Sequence, residues 1–202
     1  MKIICIGRNY VEHAKELNNE IPDEPVVFIK PSTSLLVNNK HFYHPEFSKD
    51  IHYEAEVVLK ICKNGRHVHP DFARSYFKEI TIGIDLTARD LQQKLKAKGL
   101  PWEKAKAFDH AAVIGKFIKA NALQDDNITF QLKKNGKLVQ DGNTGNMMFS
   151  FVDIICHVSK YFKLQVGDFI FTGTPAGVGR IEIGDLLTGS VEGKDLLRCE
   201  IR

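Results

Sequence analysis

With 202 residues, 43% of them hydrophobic, the chain can bury one sizeable core as a single domain over residues 1–202, and its 28 basic and 25 acidic side chains leave a net charge of only +3. That balance, without any Lys/Arg run, argues against a nucleic-acid partner, and the lack of an 18-residue apolar run argues against a membrane span. Cys5, Cys62, Cys156 and Cys199 are widely spaced and form no metal or disulfide pattern, so they read as free thiols of a reducing, cytoplasmic compartment.

In chain order, residues 2–7 (KIICIG) form a short buried strand, too short for the apolar region of a signal peptide. Asn9, with Glu12 three residues on, has the pattern of a helix N-cap and capping box, and the helix should run to about residue 17. On it His13 and Glu16, at i and i+3, are neighbours on one face. They are either an exposed surface pair or a base and its orienting carboxylate. The polar, proline-punctuated stretch 18–25 reads as a loop, so residues 9–25 can form a lid. Residues 26–30 are a strand ended by Pro31.

Residues 51–61 (IHYEAEVVLKI) alternate as a strand does. Side chains two apart share a face at roughly 6–7 Å. His52, Glu54 and Glu56 therefore point one way, and Ala55, Val57, Leu59 and Ile61 point into a core. Two neighbouring carboxylates repel unless water, a proton or a cation relieves them. A solvated face would do so. About thirty residues later, however, the strand 80–87 (ITIGIDLT) places Asp85 on the polar side with Thr81, Gly83 and Thr87. Three carboxylates from two strands can make a hard-oxygen site for Mg²⁺ or Mn²⁺.

Between these strands Asn64-Gly65 marks a turn and Pro70 opens a short helix to about residue 77. Thr87 leads directly into a helix ending near Gly99, so Arg89 and Gln92, again i and i+3, can face the carboxylates. Residues 101–106 are a second short turn with Trp102 as a packing anchor. Beyond Ala112 the pattern is mostly strand. Asn135-Gly136 signals a hairpin. Residues 147–161 have helical spacing, with Phe151, Ile154, Ile155 and Val158 on one face. Residues 166–171 are a strand feeding the glycine-rich loop 172–179, whose amides can approach an anion. That loop lacks the lysine of a phosphate-binding P-loop. Residues 186–192 and 196–201 close the chain as a hairpin through Gly193-Lys194.

Six stretches together carry a resemblance: Gly7-Arg8-Asn9-Tyr10 with His13, Phe28-Ile29-Lys30-Pro31, Glu54-Ala55-Glu56, Asp85-Leu86-Thr87-Ala88-Arg89-Asp90-Leu91-Gln92, Gln140-Asp141-Gly142-Asn143-Thr144, and Thr172-Gly173-Thr174-Pro175-Ala176-Gly177-Val178-Gly179. In this order the chain resembles the fumarylacetoacetate hydrolase family, in its short, single-domain acylpyruvate hydrolase and oxaloacetate decarboxylase branch. The resemblance implies an α+β, mainly β fold, a mixed β-roll with short helices packed outside, and a homodimer. It implies Mg²⁺ or Mn²⁺ held by Glu54, Glu56 and Asp85. By motif position it makes His13 and Glu16 the lid dyad, Lys106 a charge-stabilising catalytic residue, and Arg89, Gln92 and Thr174 substrate-binding. Lys30 falls in a signature without an assigned role.

A 2-oxo acid can chelate such a metal, which then favours an enolate at C3. The expected activity is hydrolysis of the C–C bond of small 3-acyl-2-oxo acids (acylpyruvates), with oxaloacetate decarboxylation second. His13 would activate the water and Lys106 would stabilise developing charge. The alternatives are a 2-hydroxyhepta-2,4-diene-1,7-dioate isomerase or 5-carboxymethyl-2-hydroxymuconate-type isomerase or decarboxylase and, in another class, a metal-stabilised binding protein without catalysis.

Overall fold

Side-chain alternation decides the architecture, because nearly every apolar run in the chain is too short for a helix but long enough for a strand. The computed structural model describes residues 1–17, 20–37, 40–120 and 127–202. The N-terminal half comprises β1 (Ile3–Gly7), α1 (Val11–Glu16), β2 (Val26–Lys30), β3 (Leu35–Leu36), β4 (Ile51–Tyr53), β5 (Ala55–Ile61), α2 (Pro70–Ala73), β6 (Phe77–Asp85) and β7 (Thr87–Ala88). Then follow α3 (Arg89–Ala97), α4 (Glu103–Lys106), β8 (Ala112–Ile114), β9 (Ile118–Lys119), β10 (Thr129–Lys134), β11 (Lys137–Asn143), α5 (Phe151–Tyr161), β12 (Phe169–Phe171), β13 (Gly179–Arg180), β14 (Leu186–Val191) and β15 (Lys194–Glu200). The fold is mostly strand with a few short helices, the α+β roll expected.

An eight-stranded mixed sheet runs β2-β1-β12-β5-β6-β8-β3, with β9 paired to β6. The β1–β12 and β3–β8 pairs are parallel and the rest antiparallel. One face of its central strands is wholly apolar, and the other mixes Val58 and Phe171 with the buried polar residues Glu56, Thr81 and Asp85. On one face Val57, Leu59, Ile80, Ile82 and Ile84 meet the four-stranded sheet β11-β10-β14-β15 and α5. On the other, Cys5, Val58, Ala112 and Phe171 form a smaller cluster, and the carboxylates emerge beside it. Gly83 permits this packing, since a Cβ there would sit 2.7 Å from both Phe171 and Val58. A three-stranded sheet β13-β4-β7 completes the roll.

Several local expectations are corrected. The long strand 51–61 is two strands broken at Glu54, with β4 pairing β7 and β13 while β5 pairs β6 and β12. His52 therefore leaves the carboxylate face and meets Asp50 at 3.0 Å. Asn9 is not a helix cap. Tyr10 holds that position, and Asn9 is fully buried, donating to the Phe149 and Thr172 carbonyls and accepting from the Phe149 amide. Glu12 pairs with Lys15 rather than closing a capping box. The capping box is at Ser150 and Asp153, so the fifth helix begins at Phe151 and not at Met147. Its predicted apolar face is fully buried.

The helix from Pro70 gives way to a 3₁₀ turn at Arg74–Tyr76, and Phe77 already opens β6. Strand 166–171 shortens to Phe169–Phe171 because buried Asp168 accepts from the Lys2 and Gln165 amides and holds a turn. The 135–136 hairpin forms as expected, both residues having positive φ, whereas the last hairpin turns at Glu192-Gly193. Asn18 and Asn19, in the expected lid loop, lie outside the described residues. Among the described residues no helix is long and apolar enough to cross a membrane, and all four cysteines are free.

Candidate functional site

The break at Glu54 and the β5–β6 pairing bring the three predicted carboxylates together. Glu56 lies opposite Gly83, and the Asp85 amide donates to the Glu54 carbonyl at 2.8 Å, which sets the two acids side by side. Carboxylate oxygens of Glu54, Glu56 and Asp85 lie within 4.8 Å of one another, and none of the three residues is more than 5% exposed. A solvated face is thereby excluded. The chain's own cations gather round them. Lys106 Nζ, at the end of α4, is 2.7 Å from Glu54, 2.9 Å from Asp85 and 2.6 Å from the Thr87 hydroxyl. Arg89, in the first turn of α3, reaches Glu54 at 2.5 Å and Gln92 at 2.6 Å.

Lys30, fully buried at the end of β2, stands 2.7 Å from Asp85 Oδ1. It also donates to the backbone carbonyls of Lys106 and Ala111. It thus ties β2 to the segment that carries Lys106, a role no spacing in the sequence reveals.

The electrostatics follow from burial and these contacts. Burial would raise the Glu54 carboxyl, but Lys106 and Arg89 outweigh it and hold Glu54 well below the usual carboxylate range. Glu56 has no such partner. Burial first, then the Asp85 charge, push it well above its ordinary value, against the Gly173 amide that donates to it at 2.6 Å. Asp85 is held by two ammonium groups, Lys30 at Oδ1 and Lys106 at Oδ2. An all-oxygen donor set of three clustered carboxylates, one of them resisting ionisation without a counter-charge of its own, fits a hard divalent cation, Mg²⁺ or Mn²⁺. Glu54, Glu56 and Asp85 are the residues that would hold it.

Over the cluster lies α1. His13 is 6% exposed and lines the same cleft. Its Nδ1 is 3.2 Å from one Glu16 oxygen, and the other Glu16 oxygen accepts from the Gly177 amide at 3.0 Å. The surface-pair reading of His13 is thus displaced by a buried ring facing the acids. The glycine-rich loop does use its amides for anions, but those anions are Glu56 and Glu16 of the same chain. Thr174 is buried in the cleft wall, where its hydroxyl accepts from Gln140 Nε2 at 2.8 Å. Gln140 also accepts from the Ala55 amide and donates to the Pro175 carbonyl. It is a brace between β5 and the loop that sequence reasoning did not single out as a site residue, although it opens a quoted motif.

All nine predicted residues therefore fall in one place. Eight of them line a cleft of about 450 Å³, mouth included, and Glu16 stands behind His13. Arg8, Lys96, Phe28 and Trp102 share the lining without having been assigned a role there. Trp102 is the packing anchor expected, edge-on to Phe28, with the Lys96 ammonium over its face.

Residues 2–202 match the model of the fumarylacetoacetate (FAA) hydrolase C-terminal family. The chain belongs to the fumarylacetoacetate hydrolase family. Oxaloacetate tautomerase YcgM of Escherichia coli is 39% identical over 197 residues, covering 96% of this chain and 90% of that protein. A mitochondrial oxaloacetate decarboxylase of Dictyostelium discoideum is 40% identical over 196 residues, with 96% and 90% covered. The crystal structure of a fumarylpyruvate hydrolase from Pseudomonas aeruginosa in complex with Mn²⁺ and pyruvate superposes with a TM-score of 0.94 at 31% identity, covering 100% of this chain and 89% of that one. The fumarylacetoacetate hydrolase family is an enzyme family of hydrolases, isomerases and decarboxylases.

Proposed function

We propose that the protein is a divalent-cation-dependent enzyme that moves a proton at C3 of small 2-oxo acids, with the keto–enol interconversion of oxaloacetate as its main reaction. The observation that carries this is the closed dyad: a buried His13, fixed at Nδ1 by Glu16, over three nearly inaccessible carboxylates. A site so enclosed suits proton transfer within a bound molecule better than delivery of a water nucleophile. The relatives named for oxaloacetate point the same way. This departs from the expectation from sequence, which put acylpyruvate hydrolysis first and oxaloacetate decarboxylation second and did not include keto–enol interconversion of oxaloacetate.

When bound, Mg²⁺ or Mn²⁺ would supply Lewis acidity that makes C3 of a 2-oxo acid easier to deprotonate. The chain's residues do the rest. With Nδ1 engaged by Glu16, His13 keeps Nε2 to take a proton from C3; that proton passing to the 2-oxo oxygen gives the enol, and the reverse transfer, from the enol oxygen back to C3, restores the ketone. Lys106 adds positive charge beside the acids, where enolate charge develops. Thr174, whose oxygen already accepts from Gln140, keeps its own proton for a substrate oxygen, and Arg89 with Gln92 orients the substrate's carboxylate. Two copies forming a homodimer are part of this proposal, which light scattering tests.

The decisive experiment follows the ultraviolet decay of the oxaloacetate enol with saturating Mg²⁺, alongside acetylpyruvate cleavage. His13→Ala should slow the enol decay by roughly 10²–10⁴-fold, while Mn²⁺ affinity, read by titration without substrate, stays within about threefold. Acetylpyruvate cleavage faster than enol decay in the wild type would return hydrolysis to first place.

A further inference from the structure

Outside the carboxylate cluster the cleft is cationic, and nothing said so far accounts for that. Glu54 and Asp85 are already matched by Lys106, Arg89 and Lys30. Yet Arg8 and Lys96 also line the cleft, from the end of β1 and from α3. Arg8 makes no ion pair among the described residues. It sits at φ 59°, a left-handed backbone that residues other than glycine adopt only when the surroundings hold them there. The surroundings enforce it: β1 ends at Gly7, and Asn9 is pegged by three hydrogen bonds to Phe149 and Thr172. The chain must turn sharply between them, and that turn sets the guanidinium in the cleft wall. Lys96 reaches the cleft over Trp102, its ammonium 5.7 Å from the ring centre. Its pKa is lowered, by burial first and then by Arg8, Arg89 and Lys106, so four cations feel one another around this space. With a divalent cation on the acids the excess positive charge grows further. A cleft of this kind favours a dianion over a monoanion.

We infer that Arg8 and Lys96 form a subsite for a second carboxylate, which makes the enzyme selective for 2-oxo dicarboxylates over 2-oxo monocarboxylates. This rests on the reading of the cleft as a 2-oxo acid site. A guanidinium and an ammonium meeting one carboxylate give charge-assisted hydrogen bonds, among the strongest available in a site closed to water. They act on binding and not on the proton transfer, so they should appear in KM rather than kcat.

The test has two arms. In the first, kcat and KM are measured for oxaloacetate and for its C4 methyl ester in wild type, Arg8→Gln, Lys96→Gln and the double variant. The double variant should lose roughly 10²-fold in kcat/KM on oxaloacetate, mostly through KM, and less than threefold on the ester. In the second, calorimetry with the Mg²⁺-loaded protein compares the inert diacid N-oxalylglycine with N-methyloxamate, which lacks the distal carboxylate. Wild type should bind the diacid at least tenfold tighter, and the double variant should bind both alike. Equal losses on oxaloacetate and ester, or a wild type indifferent between the two inert ligands, would overturn the subsite. The binding arm needs no turnover, so a wild type that prefers the diacid but leaves the oxaloacetate enol untouched would uphold the subsite while refuting the proposed reaction.

Discussion

Lys106→Met isolates what one buried ammonium contributes. The substitution keeps the length of the aliphatic chain and removes the ammonium, which lies 5.2 Å from the Phe28 ring centre and is shared by Glu54, Asp85 and Thr87. Lys106 is 4% exposed, so solvent screens little of the loss. Removing one partner of a buried ion pair costs up to about 3–5 kcal/mol, and here Glu54 and Asp85 each lose one cation while keeping Arg89 and Lys30 respectively. In a domain of this size each kcal/mol moves Tm by about 2–4 °C, which gives a fall of up to about 6–20 °C in the presence of chelator. The ammonium and a divalent cation claim the same oxygens. Saturating Mn²⁺ should therefore raise the Tm of the variant by more than it raises that of the wild type, since in the variant Glu54 retains only Arg89 and Asp85 only Lys30. Differential scanning calorimetry with chelator and with Mn²⁺ measures both quantities. A metal-free Tm within about 2 °C of wild type, or equal Mn²⁺ shifts, would refute the reasoning that Lys106 is a stabilising counter-charge to the carboxylates in the core.

Two further outcomes are expected. Gln140→Leu strips partners from the Ala55 amide, the Pro175 carbonyl and Thr174, and with about 1–3 kcal/mol for each buried group left unpaired it should cost about 3 kcal/mol or more in urea titrations and raise KM through the loosened loop. In the absence of metal the two glutamates should bend the pH–stability profile in opposite senses: the contribution of Glu54, whose folded pKa is depressed, is complete above its ordinary 4.5 and is lost as pH falls through and below it, whereas Glu56, with its folded pKa raised, costs stability as pH rises above 4.5. Urea midpoints between pH 4 and 8 should therefore decline on the alkaline side with chelator and flatten with Mg²⁺, and an identical slope in both would contradict the assignment of Glu56 to the metal.

The site was legible in the sequence because its residues sit at periodic positions. Glu54, Glu56 and Asp85 obey the two-residue alternation of strands, and His13 with Glu16 and Arg89 with Gln92 obey the three-residue step of a helix. The residues that escaped notice reach the site by tertiary routes. Lys30, Gln140 and Lys96 arrive from a strand end, a hairpin strand and the far turn of α3, and no local pattern distinguishes them from a core anchor, a surface amide or a solvated lysine. The same limit explains Asn9, whose sequence context suits a helix cap equally well. What recruits it instead is the Phe149–Thr172 backbone, about 140 residues away in the chain. The strand break at Glu54 was hidden for a related reason, since alternation continues unbroken through a residue at which the backbone changes sheets.

The two oxygens of Glu16 divide their attention between a side chain and a main chain, His13 on one hand and the Gly177 amide on the other. Docking of α1 and alignment of the imidazole are consequently a single event. A displacement of the helix that parts Glu16 from Gly177 frees the carboxylate to rotate, and the tautomer it was holding is no longer fixed. The aim of the imidazole thus depends on the seating of a whole helix against the glycine-rich loop.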